Sequence, residues 1–131
     1  MPQRPRWLLI AFCAVIAFAV WAAADYFVWY HAHGGVSVRQ AVWVLVGLAV
    51  PIYLALMCYS GVRWAALLVV VIGLGKFIVD LMWLTYGKGK FYGLDMTGLM
   101  LARSFIEDVA WLTLGIGVIR TAGQATEKEA E

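Results

Sequence analysis

Apolar residues fall into four long runs, at about residues 7–29, 41–59, 64–86 and 98–119, divided by short polar or glycine-rich stretches. Each run holds about 19–23 residues, enough for a helix to cross a ~30 Å hydrocarbon core at ~1.5 Å per residue. None alternates apolar with polar positions, as a half-buried strand does. A helix satisfies its own backbone hydrogen bonds in lipid. The pattern therefore predicts an all-α, polytopic membrane protein, a four-transmembrane-helix bundle over residues 1–120.

The run ends carry the expected punctuation. Trp7, Trp29, Trp43 and Trp64 stand at boundaries, and Tyr30, Tyr86 and Tyr92 fit the same belts, where amphipathic rings prefer the headgroup region. Gly34-Gly35 and Ser60-Gly61 predict the first two turns, and Gly87–Thr97 the longest internal loop, with Asp95 or Thr97 as a cap for the fourth helix. The last segment, 121–131, is polar and acidic and reads as a disordered tail.

Composition sharpens the class. Hydrophobic residues make up 64% of the 131 residues and charged residues 14%, with a mean hydropathy of +0.84. That excludes a soluble globular enzyme and a disordered chain. A net charge of +2 is too small for a phosphate-binding footprint, so nucleic acid is not an expected partner and the lipid bilayer is. Cys13 and Cys58 lie inside apolar runs and read as buried free thiols, with no disulfide framework or metal-ligand spacing.

Lysine and arginine set the expected orientation. Arg4, Arg6, Arg63, Arg120 and Lys128 fall on one side, and Arg39, Lys88 and Lys90 on the other. The bias places both termini in the cytoplasm, as in a multi-pass protein of a bacterial inner membrane. Residues 1–24 also read as a signal peptide ending at Ala22-Ala23-Ala24, but the apolar run continues through Tyr26-Phe27-Val28-Trp29.

Six ionisable residues interrupt the spans: Asp25, Lys76, Asp80, Arg103, Glu107 and Asp108. At mid-helix each charge costs about 2.5–3.5 kcal/mol on the insertion scale, against about 0.3–0.6 returned by each Leu, Ile, Phe or Val. The third span, with two charges against about a dozen such residues, is near break-even; the fourth, with three against about ten, needs partners or a protonated carboxyl. Lys76 and Asp80, and likewise Arg103 and Glu107, are spaced i, i+4 and so can pair within one helix. Counted from one membrane surface, Asp25, Asp80 and Arg103 lie roughly 8–9 Å deep, and Lys76, Glu107 and Asp108 roughly 14–15 Å deep. Each layer joins two acids to one base, so each is formally −1 and is expected to take up a proton or a cation.

Trp21, Trp83 and Trp111 lie within about a turn of these charges and are candidates to line a polar pocket able to hold an organic cation. Pro51 frees the Gly47 carbonyl and is expected to kink the second span, opening a cavity beside the charges. Ala19, Ala23, Gly73, Gly75, Gly115 and Gly117 allow close helix packing, inside the chain or in an oligomer. His31 and His33 lack a third ligand nearby and sit at a membrane end, so neither metal nor heme is expected, nor any other cofactor. Gly87-Lys88-Gly89-Lys90 lacks the phosphate-loop pattern, and its lysines fit lipid headgroups.

Three functional classes remain open. One is a proton- or cation-coupled transporter or channel component, acting as a homo-oligomer, with Glu107 and Asp108 binding the ion, Lys76 tuning them, and Asp25, Asp80 and Arg103 forming an outer gate. The second is an accessory or assembly subunit of a larger membrane complex, in which a partner helix supplies the missing positive charge. The third is an enzyme that protonates a lipid or isoprenoid, although no nucleophile triad, metal motif or CxxC supports catalysis.

Overall fold

The computed structural model describes residues 4–86, 90–91, 94–95 and 98–130, with side chains described for 4–85 and 101–123. Four helices follow one another: α1 Arg6–Ala32, α2 Val38–Tyr59, α3 Arg63–Tyr86 and α4 Gly98–Ala130. Two-residue strands, β1 Lys90–Phe91 and β2 Leu94–Asp95, pair antiparallel between α3 and α4, with Lys90 opposite Asp95. Asp95 thus belongs to this small ladder, while Tyr92 and Thr97 lie outside the described residues.

Three helices, Arg6–Ala32, Val38–Tyr59 and Arg63–Thr85, are long and apolar enough to cross a membrane. The chain is a polytopic, all-helical membrane protein. The fourth helix does not meet that test by composition, because Arg103, Glu107 and Asp108 fall within its apolar part; it joins the bundle by packing, most extensively on α3 and then on α1. Helix α4 also continues to Ala130, over the stretch whose polarity suggests a disordered tail. Ala, Gln, Glu and Lys, which dominate there, are strong helix formers.

Local signals explain the other boundaries. Helix α2 starts three residues before its apolar run because Ser37 and Gln40 form a capping box: the Gln40 backbone N–H donates to Ser37 Oγ at 3.2 Å, and the Ser37 N–H to Gln40 Oε1 at 3.0 Å. Its end is closed by Gly61, at φ 98°. There the Val62 N–H bonds the Met57 carbonyl at 3.1 Å and the Gly61 N–H the Cys58 carbonyl at 3.0 Å, satisfying two carbonyls of the last turn. Gly34, at φ 111°, turns the chain after α1 in the same way.

The bundle has an apolar half and a polar half. Leu8, Ala11 and Val15 of α1 pack with Leu54, Ala55 and Cys58 of α2, Ala65, Ala66 and Val69 of α3, and Ala110, Trp111, Leu114 and Val118 of α4. All of these lie toward the end that carries the chain termini and the α2–α3 turn. Small residues let the helices approach closely there. An ideal Cβ on Gly115 would sit 2.6 Å from Val70 Cγ2 and 3.1 Å from the Ala66 carbonyl oxygen; on Gly117 it would sit 2.6 Å from the Trp7 ring, and on Gly73 3.0 Å from Leu112. These glycines serve contacts within the chain, which removes them as signs of oligomerisation; Gly75 alone of the four meets nothing within 4 Å. Cys58 is buried, whereas Cys13 is exposed, because α1 buries the stripe Leu8, Ala11, Val15 and Ala19, and Cys13 lies off it.

Candidate functional site

The polar half is built by α1, α3 and α4. Among the described residues, α2 contributes buried side chains only from its second half, Leu54, Ala55 and Cys58. Helix α2 runs through Pro51. An apolar groove of ≈ 320 Å³, at the other half of the bundle, is lined by Trp7 of α1 and by Val109, Leu112, Thr113, Ile116, Gly117 and Arg120 of α4.

Four of the six ionisable residues that interrupt the apolar runs pair across helices. Lys76 Nζ of α3 donates to Glu107 Oε1 of α4 at 3.0 Å. Arg103 of α4 donates to Asp25 of α1 through Nη1. Neither cation takes the i, i+4 partner on its own helix. Depth decides this in part, since each ion pair joins residues that the sequence places at one level. Helix rotation decides the rest, by turning the acids of one helix toward the bases of the next.

Both cations are thereby committed, and two acids are left. Asp80 is 3% exposed and Asp108 0%. The Ser104 hydroxyl of α4 donates to Asp80 Oδ2 at 2.7 Å. Neither carboxyl oxygen of Asp108 has a hydrogen-bond partner among the described residues. Asp80, Lys76 and Glu107 all act on Asp108 electrostatically. The sequence-based count gave one surplus acid to each depth layer. In the folded chain the two surplus acids are Asp80 and Asp108, and the facing turns of α3 and α4 bring them together.

Ser104 is the functional residue that sequence reasoning missed. Its signal was present: a hydroxyl in an apolar run, four residues before Asp108 and so on the same face of α4. A serine in a membrane span is common enough to pass unnoticed until its acceptor on another helix is known.

The three tryptophans have different settings. Trp21, half-exposed on α1, lies under the Arg103 guanidinium, with 4.6 Å from Cζ to the ring centroid. That contact and the Asp25 pair hold one cation between an aromatic face and a carboxylate. Trp111 is 3% exposed and belongs to the apolar cluster, with its Nε1 buried and without an acceptor among the described residues. Trp83 is half-buried on α3, one turn beyond Asp80.

Two other polar features are engaged locally. His33 stacks on Trp29 at 4.4 Å, and its Nδ1 bonds the Trp29 carbonyl at 2.8 Å. Arg4 lies 4.7 Å over the Tyr59 ring, tying the segment before α1 to the end of α2. Among the described residues, no three His, Cys, Asp or Glu side chains converge as a metal-holding group. Comparison of the chain with protein-family models, with curated proteins and with solved structures finds no match.

Proposed function

We propose that the protein is a membrane-embedded component of proton- or cation-coupled transport, and that Asp80 and Asp108 are the acids that take up the ion. The observation that carries this reading is the commitment of Lys76 to Glu107 and of Arg103 to Asp25, which leaves two buried carboxyls without an ion pair among the described residues. Two ionised carboxylates in a site shielded from water are strongly disfavoured, so the site takes up positive charge. Ionisable groups inside a membrane span mark ion pathways more often than they fill a core.

Burial also weighs against a partner helix as the source of that charge. Asp80 and Asp108 are enclosed by the chain's own helices, so a partner's lysine or arginine has no direct approach. The reading shifts the centre of the site from Glu107 and Asp108 to Asp80 and Asp108, with Glu107 holding Lys76 in place. The basic residues Arg4, Arg6, Arg63 and Arg120 fall at the end of the bundle that carries the termini, which supports a cytoplasmic placement of that end.

Ion flux into proteoliposomes tests the proposal. Wild-type protein is expected to carry protons, sodium or potassium under an imposed potential, and Asp80→Asn and Asp108→Asn to abolish the flux. Folded wild-type protein that passes none of the three overturns it. Co-purification of a second membrane protein with such an inactive chain would favour the assembly-subunit role.

A further inference from the structure

We propose that Asp80 and Asp108 form an acid–carboxylate dyad that holds one proton and rejects alkali cations. The inference rests on the ion-coupling reading above and names the ion.

The geometry begins with two bonds between α3 and α4. Lys76 to Glu107 at 3.0 Å and Ser104 to Asp80 at 2.7 Å fix the turn 76–80 of α3 against the turn 104–108 of α4. Ser104 and Asp108 share a face of α4, with Cβ atoms about 5–6 Å apart. A carboxyl held by Ser104 therefore lies within reach of the Asp108 carboxyl. Both side chains are enclosed, and neither faces an uncommitted cation. Two carboxylates so placed cannot both ionise, and one shared proton relieves the repulsion. The Ser104 hydroxyl already donates to Asp80. Asp108 has no donor, so it carries the proton and offers it to Asp80.

The surrounding charges agree on every packed element. Helix α3 supplies Lys76, spent on Glu107. Helix α4 supplies Arg103, spent on Asp25 of α1. Helix α2 has no acid or lysine, and its arginine, Arg39, is in its first turn.

Selectivity follows from what the site offers. A hard cation gathers about six oxygen ligands. Here few oxygens are free to ligate: the Ser104 hydroxyl is turned to Asp80 as a donor, and Glu107 is held by the Lys76 ammonium. Two carboxyls alone fall short of a metal ion's ligand set, whereas a proton shared between two oxygens needs no further ligand.

Infrared spectroscopy of the full-length protein in nanodiscs at neutral pH reads the dyad directly. A protonated-carboxyl C=O band is expected in wild type, shifted by D2O and unchanged when choline is replaced by sodium or potassium. Asp108→Asn should remove the band. Asp80→Asn should displace it, because the proton loses its carboxylate acceptor, and Cys13→Ser, at an exposed position of α1 away from the charges, should leave it in place. The amide band of the same spectra reports folding. Absence of the carboxyl band in wild type, indifference to Asp80→Asn, or loss of the band on adding an alkali cation overturns the dyad. The two readings fail separately: a band without ion flux removes the coupling role and leaves the dyad, whereas flux without a band removes the dyad and leaves coupling to another cation.

Discussion

Ser104 of α4 donates a 2.7 Å hydrogen bond to Asp80 of α3, and so joins two helices inside the half of the bundle that lacks an apolar core. Ser104→Ala leaves a buried carboxyl without that donor. An unsatisfied buried polar group costs about 1–3 kcal/mol. Unfolding of the variant in a detergent titration is expected to show a loss of that size, and Ser104→Thr, which keeps the hydroxyl, to show less.

Asp108 predicts the opposite sign. Its carboxyl is fully enclosed and has no hydrogen-bond partner among the described residues, so the native side chain strains the bundle. Asp108→Asn keeps the volume and replaces a carboxyl that must hold a proton to be neutral with an amide that is neutral at every pH. The variant is expected to resist thermal unfolding better than wild type, by about 1–3 kcal/mol, while it abolishes ion flux. A variant that is less stable than wild type would show that Asp108 holds the helices together.

The Lys76–Glu107 pair is best read by a double-mutant cycle. The pair is part-buried, with the Lys76 side chain 36% exposed, so stranding one partner costs about 1–2 kcal/mol, less than in a fully enclosed pair. Lys76→Met and Glu107→Leu are each expected to destabilise the bundle by about that much, and the double variant to recover most of the loss. Additive losses would mean that the 3.0 Å contact contributes little.

Arg103 has two partners of different character, the Asp25 carboxylate and the Trp21 ring. Arg103→Lys keeps the charge and loses the flat guanidinium over the indole. Its expected cost is about 0.5–1 kcal/mol, against a larger loss for Arg103→Ala, and both should change the Trp21 emission, tested in a chain with the other tryptophans replaced by phenylalanine.

The glycines separate close packing from helix propensity. Gly115→Ala places a Cβ against Val70 and the Ala66 carbonyl of α3, where backbone must move, and is expected to cost about 1–3 kcal/mol. Gly75→Ala meets open space and is expected to be neutral or mildly stabilising, within about 1 kcal/mol. Equal effects at the two positions would contradict the packing of α4 on α3.

Much of the fold was legible because lipid leaves the backbone few choices. Run lengths located all four helices, and Ser60-Gly61 located the turn that Gly61 closes. Hydropathy alone missed the start of α2, since a capping box is polar, and it placed Cys13 inside when the buried stripe of α1 passes it by. The candidate site was legible as a set of residues at two depths. Ser104 escaped because its acceptor is 24 positions away, and Trp111 read as part of a polar pocket although its ring belongs to the apolar cluster.

The sequence by itself determined that this is a helical membrane protein, where its helices begin and end to within a few residues except at the end of α4, and that four acids and two bases interrupt its apolar runs. Those are properties of spacing along the chain, and an i, i+4 or depth count needs no neighbour. Only the tertiary structure decided that Arg103 serves Asp25, that Lys76 serves Glu107, and that Asp80 and Asp108 are the acids left over. Partner choice depends on how far each helix is rotated about its own axis. That rotation is set by the apolar packing of Leu8, Val15, Val69 and Leu114 in the other half of the bundle, which no local pattern records.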